Sequence, residues 1–151
     1  MIPDRGTILF FDTSCLIAAI GSPSGGSARL LELCAKGVFQ GAISQSVLLE
    51  AERNIRRKLS TNQLDHFLQL LMVTPLIIAQ LPDERKMQDY ARMVGEKDAH
   101  VIGACLAIGA SFSLTLDKRL ELQINRSNLP VYALTPGEFI KTVLPKHVDY
   151  D

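Results

Sequence analysis

The chain has 151 residues, of which 47% are apolar, and its 16 Lys and Arg residues balance its 16 Asp and Glu residues to a formal net charge of zero. This length predicts one domain with a substantial core, and the neutral balance argues against a global electrostatic attraction to nucleic acid, although it leaves room for a local basic strip. The apolar runs are too short to span a bilayer, and the first residues lack an export signal. Three cysteines without ligand-like spacing are typical of reduced thiols. We therefore expect a cytoplasmic protein without membrane contact.

Five short apolar runs predict the strands. Each is bounded by loop residues or by the start of a helical pattern, and none shows the length of a helix. In chain order the predicted strands lie at 7–11, 41–44, 76–81, 111–115 and 128–134.

Helical patterns fill most of the intervals between these strands. Capping residues such as Ser, Thr and Asp mark their starts, and Gly marks several of their ends. Ser27 is expected to cap the second helix, and Ser44 or Ser46 the third. We expect helices at 13–20, 28–36, 45–59, 61–73, 84–94, 98–110 and 136–144, and assign no element to 118–127.

The alternation of strands and helices predicts an α/β protein. Apolar strands joined through helices are typical of a mostly parallel sheet, here of four to five strands, covered on both faces. We expect one domain over 1–151 without internal repeats, whose last residues, 147–151, form a frayed tail.

Four acidic residues stand apart because each lies at the edge of an apolar element. Asp12 and Asp117 follow predicted strands, whereas Glu50 and Asp98 lie near the starts of helices. In an open α/β sheet these positions meet at the carboxyl edge of the strands, where ligands bind. Because clustered carboxylates repel one another, their convergence would require a hard divalent cation such as Mg²⁺.

Each acid also has an ordinary explanation when it is taken alone. Asp12 and Asp98 could serve the N-termini of helices, Asp117 could lie in a turn, and Glu50 could pair with an arginine of its own helix. The four together are much less expected by chance than any one of them.

Longer stretches of the sequence resemble the PIN-domain family of metal-dependent nucleases, over nearly the whole chain. LFFDTSCLI resembles the opening strand and acid of that family, and Ser44 with Glu50 resembles its second strand and helical acid. KDAHVIGACLAIGA, followed by the T-x-D segment at 115–117, resembles its third acid, small-residue helix and fourth acid, and VYALTPGEFI resembles its last strand and helix. The resemblance implies a Rossmann-like, three-layer α/β/α sandwich that cleaves RNA.

The resemblance also implies roles for individual residues. The equivalents of the four acids surround one or two Mg²⁺ or Mn²⁺ ions, so Asp12 and Asp98 would be direct ligands. Asp117 and Glu50 would bind through water, hold a second ion or position the nucleophile. Thr115 would orient an acid or a water through its hydroxyl, or it is an ordinary strand threonine.

Basic residues beside the acids are candidates for binding RNA phosphates. Arg53 and Arg57 share a helix face with Glu50, and Lys118 follows Asp117. A solvated helix face is the alternative for these charges.

Small prokaryotic members of the family resemble VapC-type toxins, which a cognate antitoxin holds inactive. The resemblance therefore implies RNA as the substrate and, as partners, an antitoxin and a second copy of the chain. The helical segment at 60–73 has an apolar face wide enough for such a partner, although packing of that face on the sheet is the favoured alternative. A stand-alone RNA-processing nuclease would fit the sequence equally well.

Two other functions stay open. A catalytically weak PIN-fold module would bind RNA or protein without turnover, although the intact set of four acids counts against it. A phosphatase with Asp12 as its nucleophile fares worse, because that chemistry commonly uses a second acid two residues on and position 14 is Ser.

Overall fold

A computed structural model describes residues 1–149, and its centre is a five-stranded parallel sheet. The predicted α/β class is confirmed, and each predicted strand is present, four of the five with shorter bounds. The strands are β1 (Ile8–Phe11), β2 (Gln40–Ser44), β3 (Leu76–Ala79), β4 (Phe112–Leu114) and β5 (Tyr132–Leu134). Their order in the sheet is β3-β2-β1-β4-β5, so β1 is the central strand.

Helices connect the strands and cover the sheet as the outer layers of the sandwich. Helix α6 packs on β2, β3 and β4, whereas α2 packs on β2 and against α1 and α8. The helices are α1 (Thr13–Gly21), α2 (Gly26–Ala35), α3 (Gln45–Lys58), α4 (Thr61–Val73), α5 (Glu84–Val94), α6 (Glu96–Ile108), α7 (Lys118–Arg126) and α8 (Pro136–Thr142). None of these helices, which all lie within 1–149, has the length and apolar character needed to cross a membrane.

The core is built on β1, because both of its faces are covered. Leu9, Phe10 and Phe11 are fully buried, which explains why this strand is a continuous apolar run rather than an alternating one. Phe139 of α8 contacts Phe112 edge-on, with ring centroids 5.2 Å apart. The C-terminal helix therefore helps to hold β4, whose carboxyl end leads into the candidate site.

Helix α7 is the one α-helix within 1–149 that the sequence analysis does not predict. Its inner face has only two buried residues, Leu120 and Ile124, four positions apart, while Leu122 is 52% exposed. Two apolar positions among charged residues give a weak helical pattern. The helix begins directly after Asp117, whose carboxylate accepts from the backbone N–H groups of Arg119 and Leu120.

Helix starts differ from expectation at two places. Helix α2 begins at Gly26, with Gly25 as its N-cap, so Ser27 is a buried residue of the first turn and the prediction that it caps the helix is wrong. Of the two candidate caps for α3, Ser44 is the one observed, since its hydroxyl accepts from the backbone N–H of Val47 at 3.1 Å. Helix α6 begins at Glu96, which puts Asp98 in its first turn.

The C-terminal residues are held by specific contacts up to Asp149, and His147 among them is buried. His147 is 4% exposed, and its Nε2 donates to the carbonyl oxygen of Val38 at 2.8 Å. Asp149 pairs with Arg5 at 2.7 Å. The prediction of a frayed tail is therefore wrong for 147–149, and its remaining residues, 150 and 151, lie outside the described residues.

Candidate active site

A cleft of about 430 Å³ opens at the carboxyl edge of the sheet. The chain winds from β1 to β2 and β3 on one side and returns to β4 and β5 on the other, so the topological switch point lies between β1 and β4. Such switch points are the usual ligand sites of open α/β sheets. The cleft is lined by all four of the singled-out acids, Asp12, Glu50, Asp98 and Asp117.

Asp12 is buried in this site, and no cationic side chain of the described residues pairs with it. It is 7% exposed, and among residues 1–149 no Lys, Arg or His forms an ion pair with it. Its Oδ1 accepts from the Ser14 hydroxyl at 2.5 Å and from the Cys15 backbone N–H at 3.1 Å, and its Oδ2 accepts from the Thr115 hydroxyl at 2.5 Å. Burial raises the pKa of Asp12, although these hydrogen bonds act in the opposite direction.

Thr115 connects two of the acids. The residue directly follows β4 and is fully buried. Its hydroxyl donates to Asp12 and accepts from the backbone N–H of Asp117 at 3.0 Å. Of the two roles left open for this residue, these contacts favour the one in which it orients an acid.

Ser14 forms a second link of the same kind, which the sequence analysis missed. Its hydroxyl donates to Asp12 and accepts from the backbone N–H of Leu116 at 3.1 Å. Two hydroxyls therefore join the end of β1 to the end of β4. The signal was present in the D-T-S sequence, but only the neighbouring strand shows which backbone group the serine contacts.

Asp98 is buried like Asp12, but it is fully paired. It is 3% exposed, and Arg119 of α7 donates to both of its oxygens, from Nη1 to Oδ2 at 2.8 Å and from Nη2 to Oδ1 at 3.3 Å. With its amide oriented so that the nitrogen faces these acceptors, Gln123 donates to Asp98 Oδ2 at 2.8 Å and to the Val94 carbonyl at 3.0 Å. The hydrogen bonds and charge of Asp98 raise the pKa of Arg119 above its already high value.

Asp117 and Glu50 lie at the rim of the cleft. The side chain of Asp117 is 42% exposed; its Oδ1 caps α7, and its Oδ2 lies 3.9 Å from Nη2 of Arg119. Glu50 is exposed on α3, and within 1–149 neither Arg53 nor Arg57 forms an ion pair with it. The alternative that Glu50 pairs along its own helix is therefore not observed.

The donor chemistry of the cleft suits a hard divalent cation. Carboxylate and hydroxyl oxygens converge there without a cysteine ligand, and Mg²⁺ prefers oxygen ligands. Asp12 in particular is a buried carboxylate that no cationic side chain of the described part of the chain compensates. As arranged, however, no three His, Cys, Asp or Glu side chains of the described residues are close enough to hold one ion together. The residues fit such an ion chemically, and the Asp98–Arg119 pair would have to open for it.

The basic residues divide into free and engaged side chains. Arg53 and Arg57 are exposed, have no ion-pair partner within 1–149, and line a hollow of about 420 Å³ beside the cleft. Lys118 instead pairs with Glu138 at 3.0 Å and Glu121 at 3.2 Å, and these contacts raise its pKa. Lys118 is therefore engaged by two carboxylates, and its contact with RNA phosphates stays a prediction.

Besides the four acids, two ionisable residues line the cleft, and sequence reasoning did not assign either to it. Lys97 and His100 both lie on α6 within two positions of Asp98 and are exposed. Their proximity in sequence to Asp98 was the available signal. The direction of each side chain depends on where α6 begins, which is two residues earlier than expected.

Comparison with known proteins places the chain in a family. The PIN domain family profile matches residues 9–119. VapBC2 from Rickettsia felis, bound to a DNA fragment from their promoter, is 19% identical, with a TM-score of 0.61 over 85% of this chain and 98% of that chain. PAE2754 from Pyrobaculum aerophilum is 15% identical, with a TM-score of 0.63 over 92% of this chain and 96% of that chain. Mycobacterium tuberculosis VapC20, a sarcin-ricin loop cleaving toxin, is 16% identical, with a TM-score of 0.56 over 82% of this chain and 98% of that chain.

These structures share the fold of this chain at low sequence identity. Among curated protein sequences, none matches. The family match is independent of the structures and spans more than half of the chain, from β1 through the start of α7. It includes all four of the carboxylates described above, and on this evidence the chain belongs to the PIN domain family.

Proposed function

We propose that this protein is an endoribonuclease that depends on Mg²⁺ or Mn²⁺ bound in the cleft by Asp12, Glu50, Asp98 and Asp117. The observation that carries the proposal is the state of Asp12, a buried carboxylate at the switch point of the sheet with which no Lys, Arg or His of residues 1–149 pairs. Leaving such a charge uncompensated is costly, and a divalent ion would offset that cost.

A divalent ion in this cleft would activate a water molecule and polarise a phosphate oxygen. The residues of the chain would supply position. Asp12 is held in one orientation by Thr115 and Ser14, and Asp98 lies across the cleft in the first turn of α6. Asp117 and Glu50, at the more exposed rim, are suited to hold water or a second ion next to the substrate.

RNA would be held by the exposed arginines of α3. Arg53 and Arg57 lie three and seven positions beyond Glu50, on the same face of the helix, so they extend from the rim of the cleft. Phosphate contacts of this kind fix the position of the backbone without reading its sequence. A local basic strip also reconciles RNA binding with a net charge of zero.

We further propose that the protein is the toxin of a toxin–antitoxin pair. Similar folds occur in VapBC2 of Rickettsia felis, in VapBC-1 of nontypeable Haemophilus influenzae and in FitAcB of Neisseria gonorrhoeae. In this chain α4 exposes Leu68, Met72 and Val73, by 42%, 85% and 68%. These residues, the α4 patch, would be covered by an antitoxin or by a second copy of the chain. A neighbouring gene that encodes a small DNA-binding protein would favour the toxin over a stand-alone nuclease.

The first test is RNA cleavage by the purified protein with Mg²⁺, with Mn²⁺ and with EDTA, on a single-stranded RNA and a structured hairpin. Asp12→Asn and Asp98→Asn should abolish metal-dependent cleavage. Asp65→Asn is the matched control, because Asp65 is exposed on α4 away from the cleft. Equal cleavage by all variants would indicate a contaminating nuclease and would leave the site unsupported.

A catalytically weak binding module is the second candidate. It is favoured by one observation, namely that both oxygens of Asp98 are already engaged by Arg119. Under this reading the wild type would bind RNA in EDTA and in Mn²⁺ alike but cleave neither substrate.

A further inference from the structure

Arg119 is bound to the carboxylate of Asp98, which the proposed metal site needs. Its guanidinium meets Asp98 with two parallel hydrogen bonds, at 2.8 and 3.3 Å, which leaves neither oxygen free of a donor. The arrangement is the bidentate geometry that makes arginine–carboxylate pairs strong and directional. A metal ion cannot take a lone pair in that direction while the guanidinium is there.

The same guanidinium also reaches a second acid. Nη2 lies 3.9 Å from Oδ2 of Asp117, so Arg119 stands between the acid that begins α7 and the acid in the first turn of α6. Its positive charge compensates both carboxylates in the absence of an ion.

The pair can open without unfolding the protein. Arg119 lies on the outer side of α7, with 55% of its side chain exposed, so its guanidinium can move into water. Asp98 would keep the hydrogen bond from the amide of Gln123, which approaches the same oxygen from one turn further along α7. A buried carboxylate left by the arginine would then need another cation.

We propose that Arg119 competes with the divalent cation for Asp98 and keeps the site closed until the ion displaces it. This inference rests on the proposed metal-dependent function. Arg119 acts here as a positioning residue, because its effect passes through Asp98. The closed fraction of molecules lowers the apparent metal affinity, since only the open fraction can bind.

The test compares Mn²⁺ binding by the wild type, Arg119→Ala and Lys118→Ala, measured by titration calorimetry without RNA. Lys118→Ala removes the same charge from the neighbouring residue, whose partners are Glu138 and Glu121 rather than Asp98. If the pair is closed in about nine molecules of ten, Arg119→Ala should bind Mn²⁺ about tenfold more tightly than the wild type. Lys118→Ala should show a much smaller change.

Thermal unfolding gives a second readout from the same proteins. In EDTA, Arg119→Ala should melt below the wild type, because Asp98 is left buried and unpaired. In saturating Mn²⁺ its gain in melting temperature should exceed that of the wild type. Arg119→Lys keeps the charge but loses the second hydrogen bond, so it should fold normally and bind Mn²⁺ with intermediate affinity.

The outcomes separate this inference from the function on which it rests. Mn²⁺ binding that is equal in the wild type and Arg119→Ala, with equal gains in melting temperature, would overturn the competition and leave the metal site standing. A gain in affinity of the same size in Lys118→Ala would also overturn it, because the effect would then be general charge. Absence of Mn²⁺ binding by every folded variant would overturn the metal site and the competition together.

Discussion

Replacing Thr115 by Val would test whether the hydroxyl network prepares Asp12 for its proposed role. The substitution keeps the β-branched shape and nearly the same volume, so the fully buried position is not left with a cavity. It removes two contacts at once, the hydroxyl that donates to Asp12 and the acceptor of the Asp117 backbone N–H.

The expected loss of stability follows from those two contacts. A hydrogen bond to a charged group contributes about 1.5–3 kcal/mol and one between neutral groups about 0.5–1.5 kcal/mol, so Thr115→Val should lower the free energy of unfolding by about 2–4.5 kcal/mol. For a domain of this size that corresponds to a fall in melting temperature of about 4–18 °C. Because Asp12 would lose a partner that fixes its orientation, Mn²⁺ binding should weaken by about 10–100-fold.

Urea denaturation in EDTA measures the first quantity, and calorimetric titration with Mn²⁺ measures the second. Thr74→Val is the matched control, because Thr74 is 3% exposed and its hydroxyl has no hydrogen-bond partner among the described residues. The control should be neutral or slightly stabilising and should leave Mn²⁺ binding unchanged. If Thr115→Val changes stability by no more than Thr74→Val, or binds Mn²⁺ like the wild type, the reasoning about Asp12 is refuted.

Two more predictions concern charge. Burial raises the pKa of Asp12, so the Asp12 carboxyl holds its proton more strongly in the folded protein than in the unfolded chain. The ionised carboxylate therefore destabilises the folded state, and this destabilisation grows as pH rises through the raised pKa. Asp12→Asn should therefore raise the melting temperature in EDTA at neutral pH. Its difference from the wild type should shrink as pH falls toward 3.8, the ordinary pKa of an aspartate. A constant difference in melting temperature from pH 4 to 8 would contradict this. Arg53→Ala and Arg57→Ala should each weaken RNA binding in EDTA and reduce the slope of log K against log salt by about 0.7. Arg56→Ala should leave that slope unchanged, because Arg56 pairs with Glu52.

The sheet and the positions of the acids could be predicted from the sequence, because both follow from the order of the elements. Parallel strands place their carboxyl ends at one edge, so Asp12 and Asp117 had to lie there once β1 and β4 were recognised. The pairing of Asp98 with Arg119 could not be predicted from the sequence. It depends on α7, whose two buried apolar residues give too weak a pattern to reveal a helix, and without the helix the direction of Arg119 is undetermined. The packed His147 was missed for a related reason, since its partner, Val38, is 109 positions away.

The choice between helix cap and metal ligand, which the sequence left open for Asp12 and which the structure also raises for Asp117, is not exclusive. A carboxylate offers about four lone-pair directions, and a cap uses one or two of them. Oδ1 of Asp117 caps α7, while Oδ2 accepts no hydrogen bond within 1–149. Oδ1 of Asp12 receives both Ser14 and the cap contact from Cys15, whereas Oδ2 receives only Thr115. The caps therefore fix the orientation of each acid and leave one oxygen with spare capacity, which is the preorganisation that a metal ligand requires.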